Sequence, residues 1–206
     1  ENWLLKELGD MHWTMLCSSL GCPSDNLVDS NNNRLYASFV RIRIQSSHYF
    51  KMFKENEDVY MTGGLKRYGT KMFFSDTRIE SSMKKMDASL MTVFVSRQTD
   101  NKSLTKATPI NLENSNTKVA SALPEFAEEF FRVKKNIFEK IEGEHDEVKH
   151  VLNNEDFDCK NKVMFSTSYR INPYHDLNAV NLLYFASYPQ ISAICEREYI
   201  HRMVEK

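Results

Sequence analysis

The sequence predicts an α+β protein in which an antiparallel sheet wraps one long helix. Three observations predict it. The chain opens on a helical pattern apolar enough to be enclosed, four strand-like runs follow in hairpin order, and turn-forming residues separate them.

From Trp3, the set Leu4, Leu5, Leu8, Met11, His12, Met15, Leu16 and Leu20 recurs at spacings of three and four and stops at Gly21. That predicts a helix from Asn2 to about Leu20 closed by a glycine cap. Asp10 and His12 interrupt the pattern two residues apart, so their side chains leave on different faces and a structural role outweighs a catalytic pair. Pro23 to Arg34, rich in Ser, Asp and the Asn31–Asn33 run, reads as loop. The alternating run Tyr36–Gln45 predicts a strand with Tyr36, Ser38, Val40, Ile42 and Ile44 on one face and Phe39, Arg41, Arg43 and Gln45 on the other. Three further strands are predicted at Val59–Arg67, Lys71–Glu80 and Ala88–Arg97, with turns at Arg67–Thr70 and near Lys84–Asp87. Gly63 and Gly64 inside a strand pattern imply a bulge or the close approach of another backbone or a ligand, which makes both candidate substrate-binding positions.

Residues 99–123 are polar and read as a linker with one edge strand over Leu104–Ile110. Pro124 then opens a helix carrying Phe126, Phe130, Val133, Ile137, Phe138 and Ile141 at helical spacing. The charged stretch Glu142–Asp158 reads as a short helix and a loop, and Lys162–Arg170 as a strand. After it, Asn172-Pro173 favours a turn, Asp176 or Asn178 can cap, and Val180, Leu183, Tyr184, Ser187 and Tyr188 share one face of a long helix. The expected organisation is a first repeat over 1–110 that lacks its first strand, a linker over 111–158 containing the helix at 124–141, and the start of a second repeat over 159–206.

With 27 Lys+Arg against 28 Asp+Glu among 206 residues, the net charge of −1 provides no global field to recruit nucleic acid or an anionic membrane. No run has the apolar length of a membrane span and no signal peptide opens the chain, so a cytoplasmic protein is expected. Cys17, Cys22, Cys159 and Cys195 match neither a Cys-x-x-Cys pair nor a zinc ribbon; free thiols and no metal are expected. Glu at position 1, with helical patterns at both ends, reads as a fragment.

A helix N-terminus points free amides and its dipole at a developing oxyanion. Asn172, His175, Asp176 and Asn178 surround the expected helix start and are therefore candidate site residues. The chain contains no Gly-rich phosphate loop, His-Glu-x-x-His pattern or Gly-x-Ser-x-Gly elbow, which argues against a P-loop enzyme, a zinc protease and an α/β-hydrolase.

The order of strand, polar loop and long helix resembles a hot-dog domain. The segments Glu1–Trp13, Leu35–Phe39 and Asp176–Tyr188 are similar in order and spacing to the double-hot-dog acyltransferase/decarboxylases of polyketide biosynthesis, the leinamycin type. The resemblance implies two hot-dog repeats, the second incomplete here, and acyl transfer from a malonyl-type acyl-CoA to an acyl carrier protein, with or without decarboxylation. It further implies that Tyr36 carries the acyl group as an ester, with Asn172, Asp176 and Asn178 as catalytic residues, His175, Gly63 and Gly64 contacting substrate, and no cofactor. Tyr49, Tyr60 and Tyr68 compete with Tyr36. Alternatives are a hot-dog thioesterase, whose motif only Asn178 and Tyr184 match; a dehydratase-like enzyme; and a non-catalytic acyl-binding scaffold. An incomplete second sheet would leave apolar faces exposed and favour association, including a homodimer.

Overall fold

The computed structural model describes residues 2–97, 103–141, 147–152, 155–160 and 165–204, which form two compact units, Trp3–Glu128 and Glu129–Lys206. The segment 111–128, expected as linker, belongs to the first unit.

In the first unit, helix α1 (Asn2–Leu20) is followed by strands β1 (Leu35–Ser46), β2 (Tyr60–Tyr68), β3 (Met72–Ser81), β4 (Lys84–Arg97), β5 (Leu104–Lys106) and β6 (Lys118–Val119), and then by the first turn of α2 (Glu125–Ile141). The six strands make one open sheet in the order β1-β4-β3-β2-β6, with β5 pairing β4 beyond the end of β3. Every pairing is antiparallel except β2 with β6. The expected helix and the four main strands are therefore present. The β3–β4 turn is tighter than expected, with Ser82 at φ 51° and the strand resuming at Lys84.

Leu4, Leu8, His12, Leu16 and Leu20 are all buried, each four residues after the last. A step of four advances about 40° round a helix, so this row turns through about 160° along α1. With Met11, Trp13, Met15 and Cys17 half-buried, solvent keeps an arc of only about 80°, carrying Trp3, Glu7, Asp10, Thr14 and Ser18. A flat sheet could not cover so much of a helix. Leu16 and Leu20 pack with Leu27, Leu35, Phe73, Phe94 and Leu112, whereas Leu4 and Leu8 pack with Ile79, Met86, Ala88 and Leu90, rimmed by Phe39, Ile42 and Phe53. Fully burying each leucine contributes about 1.5–3 kcal/mol.

The opposite face of the sheet receives the start of α2. Phe126 and Ala127 are buried, the Phe126 ring meets Phe74 edge-on at 6.0 Å, and an Arg41 Nη donates to the Phe126 carbonyl.

One expectation about faces is overturned. Phe39 pairs with Thr92 and Arg41 with Met91, so Val40 is an extra residue in β1. This β-bulge shifts the alternation by one. Leu35, Ala37 and Phe39 face α1 before it, and Ile42 and Ile44 after it. Tyr36 and Ser38 consequently lie on the face away from α1, with Arg41 and Arg43.

The second unit departs further from expectation. Within Glu142–Asp158, expected as helix and loop, the described residues form a hairpin of β7 (Glu147–Leu152) and β8 (Glu155–Lys160), with Val148 opposite Cys159 and His150 opposite Phe157. Residues 142–146, 153–154 and 161–164 lie outside the described residues, and 165–170, expected as strand, has no regular structure. The long helix expected from Asp176 is a four-residue turn, α3 (Pro173–Asp176), while the long helix α4 spans Ser187–Val204. Pro189 accounts for this displacement. Proline has no N–H for the residue four back and clashes with that carbonyl, so a helix can hold it only in the first turn.

Candidate functional site

His12 stands where the two core clusters of the first unit meet. Its Nδ1 lies 2.6 Å from Ser75 Oγ on β3 and its Nε2 2.7 Å from Thr92 Oγ1 on β4, and Phe39 lies beside the ring at 5.6 Å. A neutral imidazole offers one donor and one acceptor, and each hydroxyl can take either role, so both ring nitrogens are satisfied without charge. Burial lowers the pKa of His12 to about 3. The group is a neutral strut, and its position four residues from Leu8 and Leu16 was the sequence signal for it.

On the face away from α1, the Tyr36 ring has two guanidiniums near it, with Cζ of Arg34 at 5.9 Å and of Arg97 at 5.7 Å from its centroid. Tyr36 pairs with Val95, which in turn pairs with Lys106, so Lys106 shares that face. The phenol therefore sits at the cationic end of the sheet. Sequence reasoning missed both arginines. Arg34 stands two residues before Tyr36, but Arg97 becomes its neighbour only through the β1–β4 register.

Gly63 and Gly64 lie elsewhere. A Cβ at Gly63 would come within 2.9 Å of the Asp76 carbonyl and 3.1 Å of Met11 Cε, so the glycine there permits close packing of β2, β3 and α1. The close approach predicted from sequence is thus to the protein's own backbone and helix. At Gly64 a Cβ would meet nothing. The missing side chain opens a shallow depression of 610 Å³ floored by Thr62, Asp76, Arg78, Asp87 and Ser89. Its polar groups already pair among themselves: Ser89 Oγ donates to Asp76 at 2.9 Å and Arg78 Nε to Asp87 at 2.9 Å. Gly64 is in register with Asp76, Ser89 and Arg43, which puts it three strands from β1 and level with a position well beyond Tyr36. Measured on the sheet, the two are about 14 Å apart across the strands and about 20 Å along them. Tyr36 and Gly64 do not line one cavity.

In the second unit Asn172, His175 and Asp176 do come together, around a carboxylate. Asp176 is buried; its Oδ2 accepts from the Asn172 amide at 2.7 Å and the Tyr169 hydroxyl at 3.0 Å, and its Oδ1 lies 3.0 Å from His175 Nδ1. The His175 hydrogen bond first, then that of the Asn172 amide, holds the Asp176 carboxyl below its usual range; the same carboxylate raises the Tyr169 phenol. Asp176 thus fixes the orientation of a half-exposed imidazole. Asn172 caps α3 by accepting from the Tyr174 amide, and Asn178 Oδ1 accepts from the amides of Val180 and Leu182. The amides of His175, Asp176, Asn178, Asn181 and Tyr184 also bond within the loop. With the long helix starting at Ser187, the dipole and free amides expected at this loop to hold an oxyanion are not there. Tyr169, a principal partner of Asp176, was missed because its hydroxyl reaches the carboxylate only when residues 165–170 run irregularly past the loop.

Among the described residues, no group of three or more His, Cys, Asp or Glu is placed to hold a metal ion, and no helix is long and apolar enough to cross a membrane. No protein-family model matches the chain, and no curated protein matches it.

Proposed function

We propose that the first unit is a hot-dog-like domain that processes acyl thioesters, with Tyr36 as the acyl acceptor between a malonyl-type acyl-CoA and an acyl carrier protein. The observation that carries this reading is the Tyr36 ring with the guanidiniums of Arg34 and Arg97 both within 6 Å of its centroid. Support for the fold comes from α1, enclosed on all but a narrow arc by an antiparallel sheet and the segments that close over it.

In the proposed step, the phenol oxygen bonds to the thioester carbonyl carbon as the carbon–sulfur bond breaks, and the phenol proton leaves with the CoA thiol. The carrier's thiol then reverses the exchange. Attack puts negative charge on the carbonyl oxygen, and a malonyl group brings a carboxylate of its own. Two cations near the acceptor ring suit both charges, because positive groups close to a developing oxyanion stabilise it.

The test is intact-protein mass after incubation with malonyl-CoA. Wild type should gain one malonyl group, or one acetyl group if the bound malonyl loses its carboxylate as CO2 and its carbanion takes up a proton; Tyr36→Phe should gain none while keeping its circular dichroism, and Arg97→Ala should load more slowly. Loading of Tyr36→Phe at the wild-type rate would refute the assignment.

One observation favours a second reading. His175 held by buried Asp176 is an imidazole positioned to move protons, as a thioesterase- or dehydratase-like reaction requires. Loss of thioester hydrolysis in His175→Ala, with Tyr36→Phe unaffected, would select it.

A further inference from the structure

Helix α1 ends in a Schellman motif. Gly21 takes φ 64°, its amide donates to the Ser18 carbonyl at 3.2 Å, and the Cys22 amide donates to the Cys17 carbonyl at 3.2 Å. This closure brings together the side chains of the residue three before the cap and the second residue after it. Here those two residues are both cysteines. Through the Cys22 N to Cys17 O bond, the covalent path limits the two Cα atoms to about 7 Å, and bent bond angles shorten that into the range a disulfide spans. Both thiols are free and half-buried, and both line a 480 Å³ depression with Trp13, Thr14 and Pro23. Each thiol is therefore open to a small reagent yet has the other as its nearest reactive neighbour.

We infer that Cys17 and Cys22 are a redox-active dithiol that closes into an intramolecular disulfide on exchange with a small disulfide oxidant such as oxidised glutathione. One thiolate attacks the oxidant, forming a mixed disulfide and releasing one glutathione thiol. The second thiolate attacks the protein sulfur of that mixed disulfide and releases the other, so two protein thiols are oxidised as one disulfide is reduced. Burial and the neighbouring Cys22 raise the Cys17 thiol above its ordinary range, so exchange should quicken as pH rises. Trp13, one turn before Cys17, offers a reporter because a disulfide beside an indole quenches its fluorescence.

The experiment treats the full chain, carrying Cys159→Ser and Cys195→Ser, with oxidised glutathione at pH 8 and follows mass, peptide map and Trp fluorescence. The expected product has lost two hydrogens, carries no glutathione, yields a Cys17–Cys22 linked peptide and has quenched emission. Cys17→Ser or Cys22→Ser in the same background should instead retain one glutathione. A parent protein that accumulates glutathione at both sites, or stays reduced while unfolded protein oxidises, would overturn the inference. Mapping the untreated-sequence chain gives the same decision should either background substitution fail to fold.

Discussion

His12 should make the first unit acid-sensitive well above the pH at which carboxylates protonate. Unfolded, its imidazole titrates near 6.5; folded, the pKa is about 3. A group whose folded pKa is depressed contributes stability that is complete above the unfolded value and is lost as pH falls towards the folded one. Between those limits only the unfolded state takes up the proton, so each pH unit costs about 1.4 kcal/mol. From pH 6.5 to pH 5 the loss is about 2 kcal/mol, a substantial part of the roughly 5–15 kcal/mol that stabilises a typical domain. The measurement is urea unfolding from pH 8 to pH 4.5 for wild type and His12→Gln. The variant cannot titrate and leaves one of the Ser75 and Thr92 hydroxyls unpartnered, so it should be about 1–3 kcal/mol less stable at pH 8. Its deficit should then shrink by about 2 kcal/mol by pH 5 as wild type pays the proton cost. A wild-type-minus-variant difference that stays constant between pH 8 and pH 5 would show that His12 is not the buried neutral strut described.

Gly63→Ala should destabilise by about 1–3 kcal/mol because its Cβ would press on the Asp76 carbonyl, while Gly64→Ala should fall within about 0.5 kcal/mol of wild type; chemical denaturation separates them. Glu57 is held at about 2, first by the Lys84 ammonium and then by the Ser81 hydroxyl, so its contribution is complete above its ordinary 4.5 and lost as pH falls towards 2. Glu57→Gln should lower the melting temperature throughout the range above pH 4.5, and that deficit should close as pH falls towards 2, with the loss between pH 6.5 and 5 unchanged; melting curves of both proteins from pH 8 down to pH 2.5 check it. Arg34→Ala and Arg97→Ala should slow acyl loading of Tyr36; for the exposed Arg34 the melting temperature should not shift by more than a few degrees, since an exposed cation on an aromatic ring contributes only about 0.5–1 kcal/mol.

What the sequence made legible follows from which forces are local. Helix α1 and strands β1 to β4 could be read because Leu4, Leu8, Leu16 and Leu20 keep helical spacing and the strands keep period two between Asn, Asp and Gly turns. The charged β7–β8 hairpin was hidden by composition, since Glu147, Lys149, Glu155 and Asp158 suit a helix surface as well as an exposed strand. Pro189 was a visible stop to any helix running from Asp176, and the apolar pattern from Val180 to Tyr188 outweighed it in the reading. The partners of the candidate site residues depend on register and tertiary placement: Arg97 reaches Tyr36 across β1–β4, and Tyr169 reaches Asp176 through an irregular segment. No periodicity carries that information.

The bulge at Val40 decides which side of the sheet the proposed chemistry occupies, and it can be tested by deletion. Read without the bulge, Val40, Ile42 and Ile44 form one β-branched row with Tyr36, which would turn the phenol towards α1. With Val40 as an extra residue, Leu35, Ala37 and Phe39 take the inner face and Tyr36 the outer one, beside its arginines. Deleting Val40 therefore leaves every other β1 side chain on its present face and removes only the local bend, at a cost of about 1–3 kcal/mol from imperfect packing of Phe39 against His12. Deleting Ser38 instead would send Leu35 and Ala37 outward and Tyr36 into the core. Leu35 is buried in the cluster under α1, so this should cost about 3–5 kcal/mol and abolish acyl loading. Equal losses from the two deletions, or greater loss from removing Val40, would place Tyr36 on the inner face and return the reading to a phenol buried beneath the helix.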